Sequence, residues 1–418
     1  MEIKRDIHLK KLIDSKHNGM IKVITGIRRS GKSYLLFNLF YNHLVDNGVD
    51  NNHIIKVDLE NRRNKALRNP DNLLAFLDEK MVDRKMHYIL LDEIQMVDEF
   101  EDVLNSFLKI ENADVYVTGS NSRFLASDVV TEFRGRGEEI RIAPLSFYEF
   151  MSVYDGSRED ALDEYLTYGG LPAIPSLPTE EKKTNYLKGL FAKTYLTDIK
   201  ERYKIKNDEE LEELIDVLAS SIGGLTNPTK LENTFQSVKK SDITHVTIKK
   251  YLDILQDSFL IDKAIRYDIK GRKYIDTPTK YYFCDIGLRN ARLGFRQHEI
   301  THAMENLIYN ELRLRGMSVD VGVVNVNSKD EQGKSLRKQL EVDFVCNRSS
   351  ERYYIQSAWH LPSAEKREQE IRSLRYINDN FKKIVITEDP IKRYKDDNGI
   401  IFINLYEFLM NDNSLDLV

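Results

Sequence analysis

The sequence predicts an α/β protein with a parallel sheet at its core, and three observations carry that prediction. Short β-rich runs alternate with helical patterns over residues 1–145, the arrangement that right-handed crossovers close into a parallel sheet. A glycine-rich loop separates the first strand from the first long helix. An apolar run ending in two carboxylates follows about 60 residues later, at the distance expected of a phosphate site's acidic partner.

Met20–Thr25 reads as the first strand, and Ser33–Val45 as a helix with an apolar face at Leu36, Phe37, Phe40 and Leu44. Further strands are expected at His53–Leu59, Tyr88–Leu91 and Val115–Thr118. Beyond Pro144 the pattern is helical to about Tyr203, interrupted at Gly169, Gly170, Leu171 and Pro172. Asp208–Ser221, Asn227–Phe235 and Thr244–Phe259 read as three helices, the second opened by a first-turn proline. Ile261–Tyr267 and Lys280–Cys284 follow as paired strands. The last part returns to α/β: a helix over about His298–Arg315, strands near Val319–Val326, Leu340–Cys346 and Tyr353–Ala358, a helix at Ala364–Asn380 and a strand at Lys383–Thr387. The expected division is a P-loop core at 1–145, a helical lid or linker at 146–204, a winged helix-turn-helix module at 205–292 and an α/β domain at 293–418.

A chain of 418 residues suits two to four domains. Its 41% apolar and 31% charged composition is that of a soluble globular protein. The net charge of −5 repels polyanions, so a nucleic-acid contact needs a local basic patch. Met1–Asp6 lacks the apolar core of a signal peptide, and no apolar run approaches the ~20 residues of a membrane span. A cytoplasmic protein with no membrane partner is expected. Cys284 and Cys346 each lie in an apolar run and read as buried free thiols. The nine histidines show neither an HExxH pair nor cysteine partners at zinc spacing, so no structural metal is expected.

Gly26-Ile-Arg-Arg-Ser-Gly31-Lys32-Ser33 fits the G-x-x-x-x-G-K-[ST] pattern. Glycines let the backbone curl so that successive N–H groups face phosphate oxygens at a helix N-terminus. Lys32 is positioned to reach the β- and γ-phosphates and Ser33 to bind Mg²⁺, with Ser30 and Tyr34 as flanking nucleotide contacts. Asp92 and Glu93 end the Tyr88–Leu91 strand; Asp92 suits the metal and Glu93 the attacking water. After the next strand, Ser120 or Asn121 can touch the γ-phosphate or that water. Arg134 and Arg136, in a glycine-flexed loop, read either as an arginine acting on a neighbouring subunit's nucleotide in a homo-oligomer or as solvated surface arginines.

With these motifs in place the sequence resembles the prokaryotic AAA-type ATPases that carry a C-terminal DUF4143 region. The resemblance rests on Val23–Ser33, Leu90–Gln95, Val117–Asn121, Arg134–Arg136 and Pro144–Phe150, extended by Tyr168–Pro172, Tyr195–Ile199, Glu341–Val345 and Tyr354–Gln356. It implies an ATPase core using ATP and Mg²⁺, a winged-helix segment and a C-terminal domain similar to restriction-endonuclease folds. ATP rather than GTP follows from the resemblance and from the lack of an Asn-Lys-x-Asp guanine box.

In the winged-helix plan the third helix, with Val246, Thr247, Lys249 and Lys250 near its start, is offered to the major groove. Lys270, Gly271, Arg272 and Lys273 form the hairpin tip. Asp253, Asp257, Asp262, Asp268 and Asp276 dilute this charge, leaving DNA contact and a structural or protein-binding role both open. In the last domain Glu305 can be a helix acid and Asp343 a strand acid of a metal-dependent nuclease. Gln356, Ser357 and Ala358 stand where Glu-x-Lys belongs, and Lys338 is the nearest substitute. A fold kept for binding is therefore expected over a cleaving one. The reading is an ATP-driven switch acting on a protein or DNA partner, with an ATP-regulated DNA-binding protein and an ATP-gated nuclease as alternatives.

Overall fold

The computed structural model describes all residues except 1–2, 120–132, 134, 206–207, 240–242, 297–298, 330–334 and 418. The chain divides into two units, one formed by Met1–Leu145 with Asp257–Phe259 and the other by Ser146–Gln256 with Leu260–Val418.

In the first unit five strands run parallel: β1 (Ile21–Thr25), β2 (Ile54–Asp58), β3 (His87–Asp92), β4 (Ala113–Thr118) and β5 (Gly137–Arg141), in the order β2-β3-β4-β1-β5. Alternation sends side chains to two cores. Ile24, Leu90 and Tyr116 pack with Leu35, Leu36, Phe40 and Leu44 on one face. Val23, Ile89, Leu91, Val115 and Val117 pack with Val103, Leu104 and Phe107 on the other. Both faces of β3 are buried along its whole length, which accounts for its nearly unbroken apolar run. The helix after the glycine loop runs as Lys32–Tyr34, a π-helical segment Leu35–Phe40 and Tyr41–Asp46. The sequence did not reveal β5. Its Gly-Glu-Glu-Ile-Arg run buries only Ile140 fully, because it pairs with β1 alone at the sheet edge.

In the second unit helices at Phe147–Met151, Arg158–Tyr168, Glu180–Leu190 and Thr197–Tyr203 precede those at Asp208–Ser220, Pro228–Thr234 and His245–Asp257. Asp285 explains the break at Gly169. Its carboxylate accepts the Gly170 and Leu288 N–H groups at 2.8 and 3.0 Å, and a Cβ on Gly169, whose φ is +74°, would lie 2.3 Å from it.

Eight strands complete this unit: β6 (Ile261–Asp268), β7 (Lys273–Phe283), β8 (Ser318–Lys329), β9 (Ser335–Arg348), β10 (Glu351–Ala358), β11 (Lys382–Thr387), β12 (Tyr394–Lys395) and β13 (Ile400–Asn404). They form one mixed sheet, β12-β13-β11-β10-β9-β8-β6-β7. The hairpin expected as a free wing is therefore built into this sheet. Arg266, Tyr267 and Asp268 of β6 pair in parallel with Val321, Gly322 and Val323 of β8, a long-range pairing that satisfies the outer edge of β6 and leaves no local sequence signal. The buried run at Ile400–Ile403 and the helix Leu405–Met410 were likewise not foreseen. Cys346 is buried in β9 as expected, whereas Cys284 lies just past β7 and is half-buried; the two are not joined in a disulfide. No helix among the described residues is long and apolar enough to cross a membrane.

Candidate functional site

The loop from Gly26 to Gly31 leaves the C-terminal end of β1 beside the ends of β3 and β4, where the strand order reverses and open α/β sheets bind ligands. Its curl needs glycine. Gly26 has φ +133°, and a Cβ there would lie 2.2 Å from the Ile142 carbonyl oxygen. Gly31 has φ +95° and opens the helix.

Lys32 is buried within the loop and donates to the Gly26 and Ile27 carbonyls at 3.0 and 3.1 Å. Burial pulls its ammonium down to about 8, against the charges of Glu93 and Asp92. Asp92 is buried and accepts hydrogen bonds from Thr118 and Ser33. Burial nevertheless outweighs those bonds and raises the Asp92 carboxyl above its usual range. Glu93 sits in the left-handed region at φ +53°; its N–H donates to Thr118 Oγ1 at 2.9 Å and its carboxylate accepts from Gln95 Nε2. The oxygens of Ser33 and Asp92 meet, and an all-oxygen pair of this kind suits a hard cation such as Mg²⁺.

Of the residues expected at this site, Gly26, Gly31, Lys32, Ser33, Asp92 and Glu93 converge. Ser30 is fully buried with its hydroxyl unpartnered, and Tyr34 is 40% exposed. Ser120, Asn121 and Arg134 lie outside the described residues. Arg136 is exposed at the start of β5, where its carbonyl accepts from Ile21 at 2.9 Å. That is the opposite end of the sheet, so Arg136 does not join the phosphate loop of its own chain.

Three participants escaped the sequence reading. Thr118 bonds both Asp92 and Glu93; a threonine ending a strand gave no distinguishing signal. Gln95 orients Glu93 from two residues on. Arg5, buried to 4% exposure, donates to Ser30 O at 2.9 Å and Ala143 O at 2.6 Å, so it braces the glycine loop from far away in sequence.

Comparison with known proteins agrees with the fold of the first unit. The AAA domain profile matches residues 18–151. An uncharacterized protein of Haemophilus influenzae is 34% identical over 414 residues, covering 98% of both chains. The chain belongs to the same family as this protein, and its own residues 18–151 form an AAA domain. A second relative, an uncharacterized protein of Methanocaldococcus jannaschii, is 28% identical and covers 97% of this chain and 90% of its own. A Walker-type ATPase of Pyrococcus abyssi shares the fold with a TM-score of 0.51 at 15% identity, covering 70% of this chain and 96% of that one. Beyond the AAA domain, residues 159–299 match a domain of unknown function, DUF8612; this stands where the resemblance had implied DUF4143.

Outside the AAA domain, the nuclease-like acids of the second unit gather around a lysine to which the sequence reading gave no role. Lys280 of β7, 3% exposed, pairs with Glu305 at 2.8 Å and Glu341 at 2.7 Å. Tyr282 donates to Glu305 at 2.7 Å, and Asp343 accepts the Ser357 N–H at 2.8 Å. Burial disfavours the Lys280 charge, yet Glu305, Asp343 and Glu341 more than offset it and hold the ammonium above its usual range. Burial and the Glu305 charge push the Asp343 carboxyl well up. Lys338, the substitute named from sequence, is exposed instead.

Proposed function

We propose that this AAA-domain protein binds and hydrolyses ATP with Mg²⁺ and uses the cycle to switch its grip on a partner. The observation that carries the reading is the joint placement of Lys32, Ser33, Asp92 and Glu93 around one glycine loop. Loop N–H groups and Lys32 take the phosphates, displacing the Lys32 bonds to Gly26 and Ile27. Ser33 and Asp92 would hold Mg²⁺, whose chemistry is to neutralise charge on the phosphoryl oxygens. Glu93, steadied by Gln95, accepts the proton of the attacking water. Thr118 touches both acids, so a change at the γ-phosphate can pass through it into β4.

The second unit is read as the part that meets the partner. Lys280 is held by carboxylates on two sides and occupies the acids that a cleaving site would turn to a metal, which favours binding over cleavage. Val246, Lys249 and Lys250 stand exposed on the helix His245–Asp257 and offer a surface to DNA or protein.

Phosphate release measured with and without duplex and single-stranded DNA tests the partner. Stimulation by DNA that vanishes in Lys249→Ala/Lys250→Ala and weakens steeply with salt would make DNA the partner. Glu93-dependent release indifferent to DNA would turn the search to proteins. Magnesium-dependent DNA cleavage lost in Asp343→Ala would overturn the binding-only reading of the second unit.

A further inference from the structure

We infer that the first unit carries a zinc-class transition-metal site formed by His53, Asp83 and His87, at the edge of the sheet opposite the nucleotide loop. His53 closes the turn before β2, and His87 is the first residue of β3. Because Ile54 pairs with Tyr88 in the parallel register, the two histidines come abreast, with ring centroids 4.9 Å apart. Asp83 completes the group from the loop leading into β3. Its Oδ2 lies 3.0 Å from His53 Nε2, and one ligand atom from each of the three residues falls within 4.8 Å of the others.

A buried side chain without polar partners points to a ligand. His87 is fully buried, and neither of its ring nitrogens has a hydrogen-bond partner. Buried polar groups are almost always satisfied, and a metal accepting the imidazole lone pair would give one of these nitrogens its partner. The loop is also held in place. Lys85 N–H donates to Asp83 Oδ1 at 2.8 Å, and Asn112 Nδ2 donates to the Asp83 and Lys85 carbonyls at 3.1 and 3.3 Å. The Asn112 carbonyl in turn accepts the His87 N–H at 2.8 Å.

The donor set fixes the class of ion. Two imidazoles and one carboxylate suit zinc, whereas magnesium and calcium take oxygen alone. Three protein ligands leave a fourth tetrahedral position for water on the exposed Asp83 side. β3 separates this site from Asp92 by roughly 16 Å at ~3.3 Å per residue, so the ion is distinct from any magnesium bound with nucleotide. Its effect is to clamp the starts of β2 and β3, the strand that carries Asp92 and Glu93 at its other end. The spacing of the three residues, His53 far ahead of Asp83 and His87, matches no sequence motif for zinc, which is why the histidines had suggested no metal.

The test uses full-length protein stripped with chelator, without nucleotide, titrated with Zn²⁺ alone. Wild type is expected to bind one ion per chain and to gain thermal stability on binding. Asp83→Ala, a change at an exposed carboxylate, is expected to weaken binding about 100-fold or more and to lose the stability gain. His87→Leu is expected to lose binding while staying at least as stable as metal-free wild type, since it removes the unsatisfied ring. Equal Zn²⁺ affinity in wild type and Asp83→Ala, or no stoichiometric binding by wild type, would overturn the site; if His87→Leu does not fold, Asp83→Ala carries the test.

Discussion

Glu93→Gln is expected to bind MgATP as tightly as wild type and to hydrolyse it about 10²–10⁴-fold more slowly, the usual loss when a general base is removed. Three features localise the effect to the carboxylate. The Glu93 backbone is held in the left-handed region by its N–H bond to Thr118. Its side chain is oriented by Gln95. Its neighbour Asp92 keeps its own bonds to Thr118 and Ser33 in the variant. Glutamine keeps the shape and removes only the capacity to take a proton. Single-turnover phosphate release beside a nucleotide titration separates the two effects. A variant that releases phosphate at the wild-type rate would remove Glu93 from the chemistry, and one that no longer binds nucleotide would make it a structural residue.

Lys280→Met is expected to destabilise the second unit by about 3–5 kcal/mol, the typical cost of breaking a buried ion pair from one side. The methionine preserves apolar volume but leaves Glu305 and Asp343, both 8% exposed, facing each other without the ammonium. The loss depends on pH, and its sign follows from Asp343. Burial and the Glu305 charge already raise this carboxyl well above its usual value, so the folded state gives up this proton at higher pH than the unfolded chain does. Stability from that group is lost as pH rises through the folded-state range. Removing Lys280 takes away a charge that lowers the Asp343 carboxyl, so the variant's deficit should grow as pH rises above the ordinary carboxylate range. Hydrogen exchange over β7 and β9 reads the change locally. Lys273→Met, at an exposed position of the same strand, serves as the comparison and should stay within about 0.5 kcal/mol of wild type. A deficit that is flat with pH, or no deficit, would contradict the buried network.

The convergence of the glycine loop with Asp92 and Glu93 was legible in the sequence because each part is local. Gly26, Gly31, Lys32 and Ser33 occur in one short loop, and the run Tyr88–Leu91 delivers Asp92 and Glu93 at a strand end by alternation alone. What the sequence concealed depends on distant partners. Arg5 braces the loop through carbonyls at Ser30 and Ala143. β6 looks like half of a free hairpin until its outer edge pairs with β8. Lys280 sits outside every nuclease spacing and reaches Glu305 only because the sheet brings β7 beside the helix Ile300–Leu314. Arg136 is a different case. Its glycine-flanked motif left a role at a neighbouring subunit's nucleotide and a solvated surface position both open, and the parallel register of β5 with β1 sets it at the far end of the sheet from its own chain's glycine loop.

The measurement that tests the central claim most directly is magnesium-dependent phosphate release from ATP by wild type and by Lys32→Ala, with nucleotide affinity determined on the same samples. Wild type should bind MgATP and release phosphate. Lys32→Ala should lose both, because it removes the one buried cation of the loop that bonds Gly26 and Ile27 and is free to exchange those carbonyls for phosphate oxygens. Equal binding and release by the two proteins would contradict the account.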